Sequence, residues 1–163
     1  MKLIVAVSES WGIGKDNKLL FSLKEDMKFF KNTTTGKVVV MGKNTYLSLP
    51  KRPLKDRVNI VLSSTELEGC VWVTSMDELF AEAGKYNGDD VFVIGGASMY
   101  KQMLPYCDTA YITKVHSDAE ADAFFTNLDE LPEWQCVEKR DAEDTLPITF
   151  CTYKNKNTME YKK

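Results

Sequence analysis

Val91-Phe92-Val93-Ile94-Gly95-Gly96-Ala97-Ser98-Met99-Tyr100 runs from a continuous apolar stretch through two glycines straight into a helical pattern. Four consecutive large apolar residues suit a strand covered on both faces, the situation of a parallel sheet. Glycines at such a strand end let the backbone approach a ligand closely, and the helix start beyond them offers unpaired N–H groups to a phosphate. A glycine pair also serves simply as a tight turn, and Ala97 and Ser98 break the G-x-G-x-x-G spacing of a dinucleotide fingerprint. The stretch predicts a strand-to-helix junction of an α/β domain and leaves its ligand open.

Working outward, similar short runs recur at Leu3 to Val7, Val38 to Met41, Val58 to Leu62, Cys70 to Val73, Ala110 to Val115, Gln135 to Glu138 and Ile148 to Tyr153. Helical patterns fall between the earlier ones. Ser22-Leu23-Lys24-Glu25 and Ser75-Met76-Asp77-Glu78 read as capping boxes that open helices at Leu23 and after Ser75, the second reaching about Lys85. Ala97 to Leu104 is a helix stopped by Pro105, and a shorter one follows Gly42. The last third has strands without a clear helix between them, which suits an antiparallel edge. The expected fold is α/β: a single domain over residues 1–163, with an eight-stranded, mixed, mainly parallel central sheet, about four flanking helices and an antiparallel C-terminal edge.

The chain has 163 residues, 44% of them hydrophobic and 28% charged, ordinary for a globular protein with a core of its own. The start is too short and too soon charged for a signal peptide, and no apolar run approaches a membrane span, so a cytoplasmic protein is expected. Cys70, Cys107, Cys136 and Cys151 are far apart and His116 is the only histidine, which argues against a metal site and a disulfide framework. A net charge of −3 gives nucleic acid or an anionic membrane no general reason to bind. An anionic ligand would need local charge, and Lys51, Arg52, Lys55 and Arg57 supply one such cluster, also readable as a solvated basic turn.

Four more features carry chemistry. Met41-Gly42-Lys43-Asn44-Thr45-Tyr46 places a glycine, a cation and a hydroxyl at a strand end, and Leu62-Ser63-Ser64-Thr65 places hydroxyls at another. Ligands of open α/β sheets bind beyond such ends, so three together suggest an extended phosphorylated ligand such as a dinucleotide. Ser8 to Lys18, polar and glycine-containing with Trp11 and Ile13, reads either as a loop that closes over a site or as an ordinary surface loop. In the helix after Ser22, Leu23, Met27 and Phe30 form the apolar stripe, with Asp26 at its edge. That carboxylate either reaches water at the rim or waits in a pocket for a ligand.

These pieces, in this order, resemble the dihydrofolate reductases of the bacterial chromosomal type. The likeness rests on Ile4-Val5-Ala6-Val7, Gly12-Ile13-Gly14-Lys15-Asp16-Asn17, Leu23 through Phe30, and Val40-Met41-Gly42-Lys43-Asn44-Thr45-Tyr46. It continues through Arg52-Pro53-Leu54, Arg57 to Ser64, Val93-Ile94-Gly95-Gly96-Ala97 to Tyr100, Leu104-Pro105 and Tyr111-Ile112-Thr113. The resemblance implies NADPH-dependent reduction of 7,8-dihydrofolate to tetrahydrofolate, with antifolate inhibitors as ligands; a monomer is the default for an unpatterned surface of this size. It implies that Asp26 is the pocket acid bonding the pterin, with Thr113 behind it. Ile4, Val5, Ala6, Leu19, Phe30, Leu49 and Leu54 would line the substrate pocket, with Ile94 and Tyr100 as its floor near the nicotinamide. Arg57 would hold the α-carboxylate of the glutamate tail.

For the cofactor the resemblance implies Gly95, Gly96, Ala97 and Ser98 as the pyrophosphate turn, faced by Gly42, Lys43, Asn44 and Thr45. Leu62, Ser63 and Ser64, with Lys43, would form the 2′-phosphate pocket. Gln102 would meet the adenine, and Ala6, Ile13, Gly14, Leu19, Ile94 and Tyr100 would complete the site. Leu20, Phe21, Ala97, Ser98 and Ala121 depart from the family pattern. With serine at 98, recognition of the 2′-phosphate leans on Lys43. A pterin- or nucleotide-binding module without turnover and a reductase of another pyrimidine-like substrate are the alternatives. Asp26, Arg57 and Thr113 together favour folate.

Overall fold

A computed structural model describes residues 1–162. The apolar runs become strands β1 (Lys2–Val7), β4 (Val38–Gly42), β5 (Val58–Leu62), β6 (Val71–Val73), β7 (Val91–Gly95), β8 (Thr109–Val115), β10 (Trp134–Ala142) and β11 (Ile148–Asn155). They form one sheet in the order β10-β11-β8-β1-β7-β4-β5-β6. Pairing is parallel from β8 to β6 and antiparallel only where β11 meets β8 and β10, the expected edge.

Alternate residues of the inner strands bury on opposite faces, which is why their sequences are continuously apolar. On one face Leu3, Val5, Val7, Val38, Val40, Val91 and Val93 pack with Leu79 of α3 (Met76–Ala83) and with Met99, Tyr100 and Met103 of α4 (Ala97–Met103). On the other, Val39, Met41 and Val61 pack with Tyr46 of α2 (Lys43–Ser48). Leu23, Val115, Ile148 and Phe150 gather with Phe29 of α1 (Lys24–Thr34). Since Thr113 and Val115 share a face of β8, α1 lies over Thr113.

The Ser75 capping box forms: its hydroxyl accepts the Glu78 N–H at 3.1 Å, and the Glu78 carboxylate takes the Thr74 N–H at 2.9 Å. The Ser22 box does not. Leu23 is the N-cap, buried and without a side-chain acceptor, and Ser22 turns its hydroxyl to the Met27 sulfur. The orphan Glu25 N–H is satisfied instead by Asp144 at 2.6 Å, from the β10–β11 hairpin. Burying Leu23 in the core moved the helix start one residue on and out of reach of Ser22.

The segment from Ser8 to Lys18 is more ordered than a loop. It contains β2 (Gly12–Lys15), which pairs with β3 (Lys18–Leu19) and with β9 (Ala123–Phe124) in a second, three-stranded sheet. Side chains tie it down as well. Ser10 donates to Asp118 at 2.8 Å, the Asp16 N–H donates to Asp122 at 3.0 Å, and Lys15 pairs with Glu120 at 2.7 Å. Ala121 packs so closely that a Cβ on Gly12 would lie 2.7 Å from its own, so glycine is required at position 12 while alanine stands at 121. Among the described residues no helix is long and apolar enough to cross a membrane, and no cluster of His, Cys, Asp or Glu suits a metal ion.

Candidate active site

The inward face of α1 is set by Leu23, Asp26, Phe30 and Thr34, spaced three and four residues apart. Asp26 is therefore central to that face, and Met27, expected in the apolar stripe, is 59% exposed. Desolvation is the largest influence on the Asp26 carboxyl and raises its pKa; the Thr113 hydroxyl favours the ionised form, and the Asp144 charge raises the pKa further. Thr113 is fully buried on β8, whose partner opposite it on β1 is Ala6. Tyr100 donates its phenol to the Ile4 carbonyl at 2.8 Å, and burial followed by the nearby Asp26 charge pushes its pKa up, so it stays a neutral donor.

Arg57 marks the far end of α1. Its guanidinium lies 5.9 Å from the Phe30 ring centroid, donates to the Thr34 hydroxyl at 3.0 Å and to the Lys55 carbonyl at 2.9 Å. From Asp26 to Thr34 the helix rises roughly 12 Å, so the acid and the guanidinium stand at opposite ends of one helix face. Burial lowers the Arg57 pKa. Its neighbours Lys51, Arg52 and Lys55 are exposed, as the solvated reading of the basic turn expects.

Of the expected walls, Leu49, Leu54 and Ile94 converge as half-buried residues on one cluster, while Ile4 and Ala6 lie on the α1 face of β1. Val5 differs: its side chain joins the opposite core, leaving only backbone toward α1. Leu19 is 85% exposed on β3 and meets neither the acid nor the glycine turn. Ile13 is buried in the main core, and Gly14 backs onto Lys18 in the small sheet.

The three strand ends come together. A Cβ on Gly95 would lie 3.2 Å from the Thr45 hydroxyl, one on Gly96 3.4 Å from it, and one on Gly42 3.3 Å from Met99. Gly95 has φ +135°, a conformation side chains avoid, and the Gly95–Gly96 peptide is cis. This bare backbone, bordered by Thr45, is a cradle for an approaching pyrophosphate, so the residues present fit a dinucleotide. Lys43 is half-buried, and Asn44, Ser64, Ser98 and Gln102 are exposed beside it, with Gln102 donating to the Ser98 hydroxyl at 3.0 Å. Leu62 is half-buried at the end of β5. Ser63 is turned inward: its hydroxyl donates to the Thr65 carbonyl at 2.7 Å and accepts the Thr65 N–H at 3.1 Å. Gly95→Ala is expected to weaken dinucleotide binding about tenfold and to destabilise the fold by about 1–2 kcal/mol, measurable by fluorescence titration with a reduced nicotinamide dinucleotide and by denaturant unfolding.

A half-buried acid on a helix packed over a mixed sheet, whose strand ends carry bare backbone and hydroxyl groups suited to phosphates, fits a dinucleotide-dependent α/β oxidoreductase. Comparison with known proteins narrows the class. The dihydrofolate reductase family profile matches residues 1–155. The chain is 39% identical to the dihydrofolate reductase of Buchnera aphidicola subsp. Acyrthosiphon pisum, over 84% of this chain and 85% of that one. It is 34% identical to that of Bacillus subtilis, over 98% and 97%. The solved dihydrofolate reductase from Enterococcus faecalis, complexed with NADP(H) and RAB-propyl, superposes with a TM-score of 0.85 at 33% identity, covering 94% of this chain and 95% of that one. The chain belongs to the dihydrofolate reductase family, whose members are NADP-dependent oxidoreductases.

Asp144 escaped the sequence reading because it carried no motif, whereas the loop around Ala121 and Asp122 is the one the resemblance expects to brace the Ser8 to Lys18 segment, and Asp118, Glu120 and Asp122 bond to that segment.

Proposed function

We propose that this chain reduces 7,8-dihydrofolate to 5,6,7,8-tetrahydrofolate with NADPH, and that Asp26 makes the pterin reducible. The observation that carries the reading is a desolvated carboxylate beside Thr113 on a helix face whose far end holds a fixed guanidinium. Bound NADPH supplies the hydride delivered to C6. Asp26 accepts hydrogen bonds from the pterin's exocyclic amine and adjacent ring nitrogen, which fixes the ring and favours positive charge on it. Because Asp26 bonds that edge, the proton for N5 arrives by water. Ile4, Ala6, Phe30, Leu49, Leu54 and Ile94 exclude bulk solvent and hold the ring plane. Arg57 grips the α-carboxylate of the glutamate tail.

On the cofactor side, the Gly95–Gly96 backbone and Thr45 hold the pyrophosphate, while Lys43 and Ser64 meet the 2′-phosphate; Ser63 shapes that turn from within. The expected setting is the cytoplasm, as a monomer, where the four free thiols remain reduced. The test is loss of NADPH absorbance with dihydrofolate, with and without a 2,4-diaminopyrimidine inhibitor. Inhibitor-sensitive turnover supports the reading. Dinucleotide binding without turnover would reduce the chain to a binding module.

A further inference from the structure

The helix that carries Asp26 lacks a cap of its own. Leu23 occupies the N-cap with a buried apolar side chain and no side-chain hydrogen bond, so the first-turn amides have no local acceptor. Asp144 fills that role from 119 residues away, accepting the Glu25 N–H at 2.6 Å, with the Lys24 and Asp26 amides also directed toward its carboxylate. Its own hairpin holds it in place, since the Thr145 N–H donates to its second oxygen at 2.8 Å. Leu146 and Ala142 pack on the Leu23 cluster and seat the hairpin against α1.

A neutral serine or asparagine would cap this helix as well as a carboxylate does. The choice of an acid adds a negative charge at the helix start that carries Asp26. The two carboxylates repel, and that repulsion favours the protonated form of the buried one.

We propose that Asp144 is a positioning residue for the reduction: it fixes the end of α1 that presents Asp26 to the pterin, and its own charge is felt at the Asp26 carboxylate. This rests on the assignment of Asp26 above. The other groups around Asp26 leave this role to Asp144. Thr113 from β8 acts the opposite way, and Tyr100 from α4 is a neutral donor to β1. Lys24, Glu25 and Lys28 of α1 are exposed. Lys114 pairs with Asp129 at 3.1 Å, and the hairpin's Asp141 accepts from Thr149, which bonds His116 at 2.6 Å. Glu143 is exposed.

The experiment is the pH profile of hydride transfer in single turnovers for the wild type, Asp144→Asn, Asp144→Ala and Asp26→Asn. Asp144→Asn keeps the cap and removes the charge, so the midpoint of the profile should move to lower pH by on the order of half a unit, the scale of one partly screened neighbouring charge. The shift should shrink in 1 M salt, where screening is about 3 Å in range. Asp144→Ala should show the same shift plus a lower plateau rate, which Asp144→Asn restores. An unmoved midpoint in Asp144→Asn, or an Asp144→Ala plateau equal to wild type, overturns the proposal. A wild-type rate in Asp26→Asn overturns the assignment of Asp26 instead, so the two failures are distinct.

Discussion

Asp26→Asn lowers the single-turnover rate of dihydrofolate reduction by about 10²-fold or more at pH 7, the usual scale for losing a positioned acid-base group, and by much less in acid. Asparagine retains the size and one acceptor but cannot carry the charge that stabilises a protonated pterin. In acid the solvent protonates the substrate directly, and the deficit narrows. Rapid mixing with fluorescence detection of NADPH measures the step free of product release. A wild-type rate at pH 7 would remove Asp26 from the chemistry.

The same substitution should raise stability. Burial lifts the Asp26 pKa above its ordinary value near 3.8, so ionisation costs the folded state more than the unfolded one. That cost is absent below the ordinary value, grows as pH rises through the window up to the folded pKa, and is full above it. Asp26→Asn is therefore more resistant to urea at pH 7, with the gain vanishing as pH falls toward 3.8. A residue that weakens its fold and speeds its reaction is what an active-site acid should be.

Arg57→Leu is expected to raise the KM for dihydrofolate about 10- to 100-fold with kcat little changed, corresponding to about 1.5–3 kcal/mol for a lost charge-assisted contact. The guanidinium is already held in the free protein by Thr34, Lys55 and the Phe30 ring. It therefore meets a carboxylate without ordering a free side chain, which is where its affinity arises. Leucine preserves apolar contact with Phe30, so the helix should persist. The control is a reduced pteroate without the glutamate tail, whose KM should not change between the two proteins. An equal rise with the tailless substrate would place the defect in the shape of α1 rather than in carboxylate binding.

The parts that were legible in the sequence are those whose cause is local. A parallel strand buried on both faces must be continuously apolar, so β4 and β7 announced themselves, and Gly95-Gly96 marked a strand-to-helix junction while leaving open whether it was a ligand cradle or a tight turn. The Ser75 box works because its acceptor and donor are neighbours in the chain. Asp26 was visible as an acid out of place in an amphipathic helix, although the helix turns further than its apolar stripe indicated and exposes Met27.

Tertiary structure decided the rest, because the deciding partners are distant in the chain. Gly12 pairs with Phe124, and no pattern within Ser8 to Lys18 encodes that ladder. The pleat sends Val5 to the far core, inward hydrogen bonding withdraws the Ser63 hydroxyl, and Leu19 is left in solvent. Sequence by itself determined the sheet, the strand ends and the presence of an unpartnered acid, since these follow from burial and backbone freedom at single positions. The family resemblance had already set Thr113 behind that acid; only the folded chain brought in Asp144, because its carboxylate reaches the start of the Asp26 helix through space from a hairpin far along the chain.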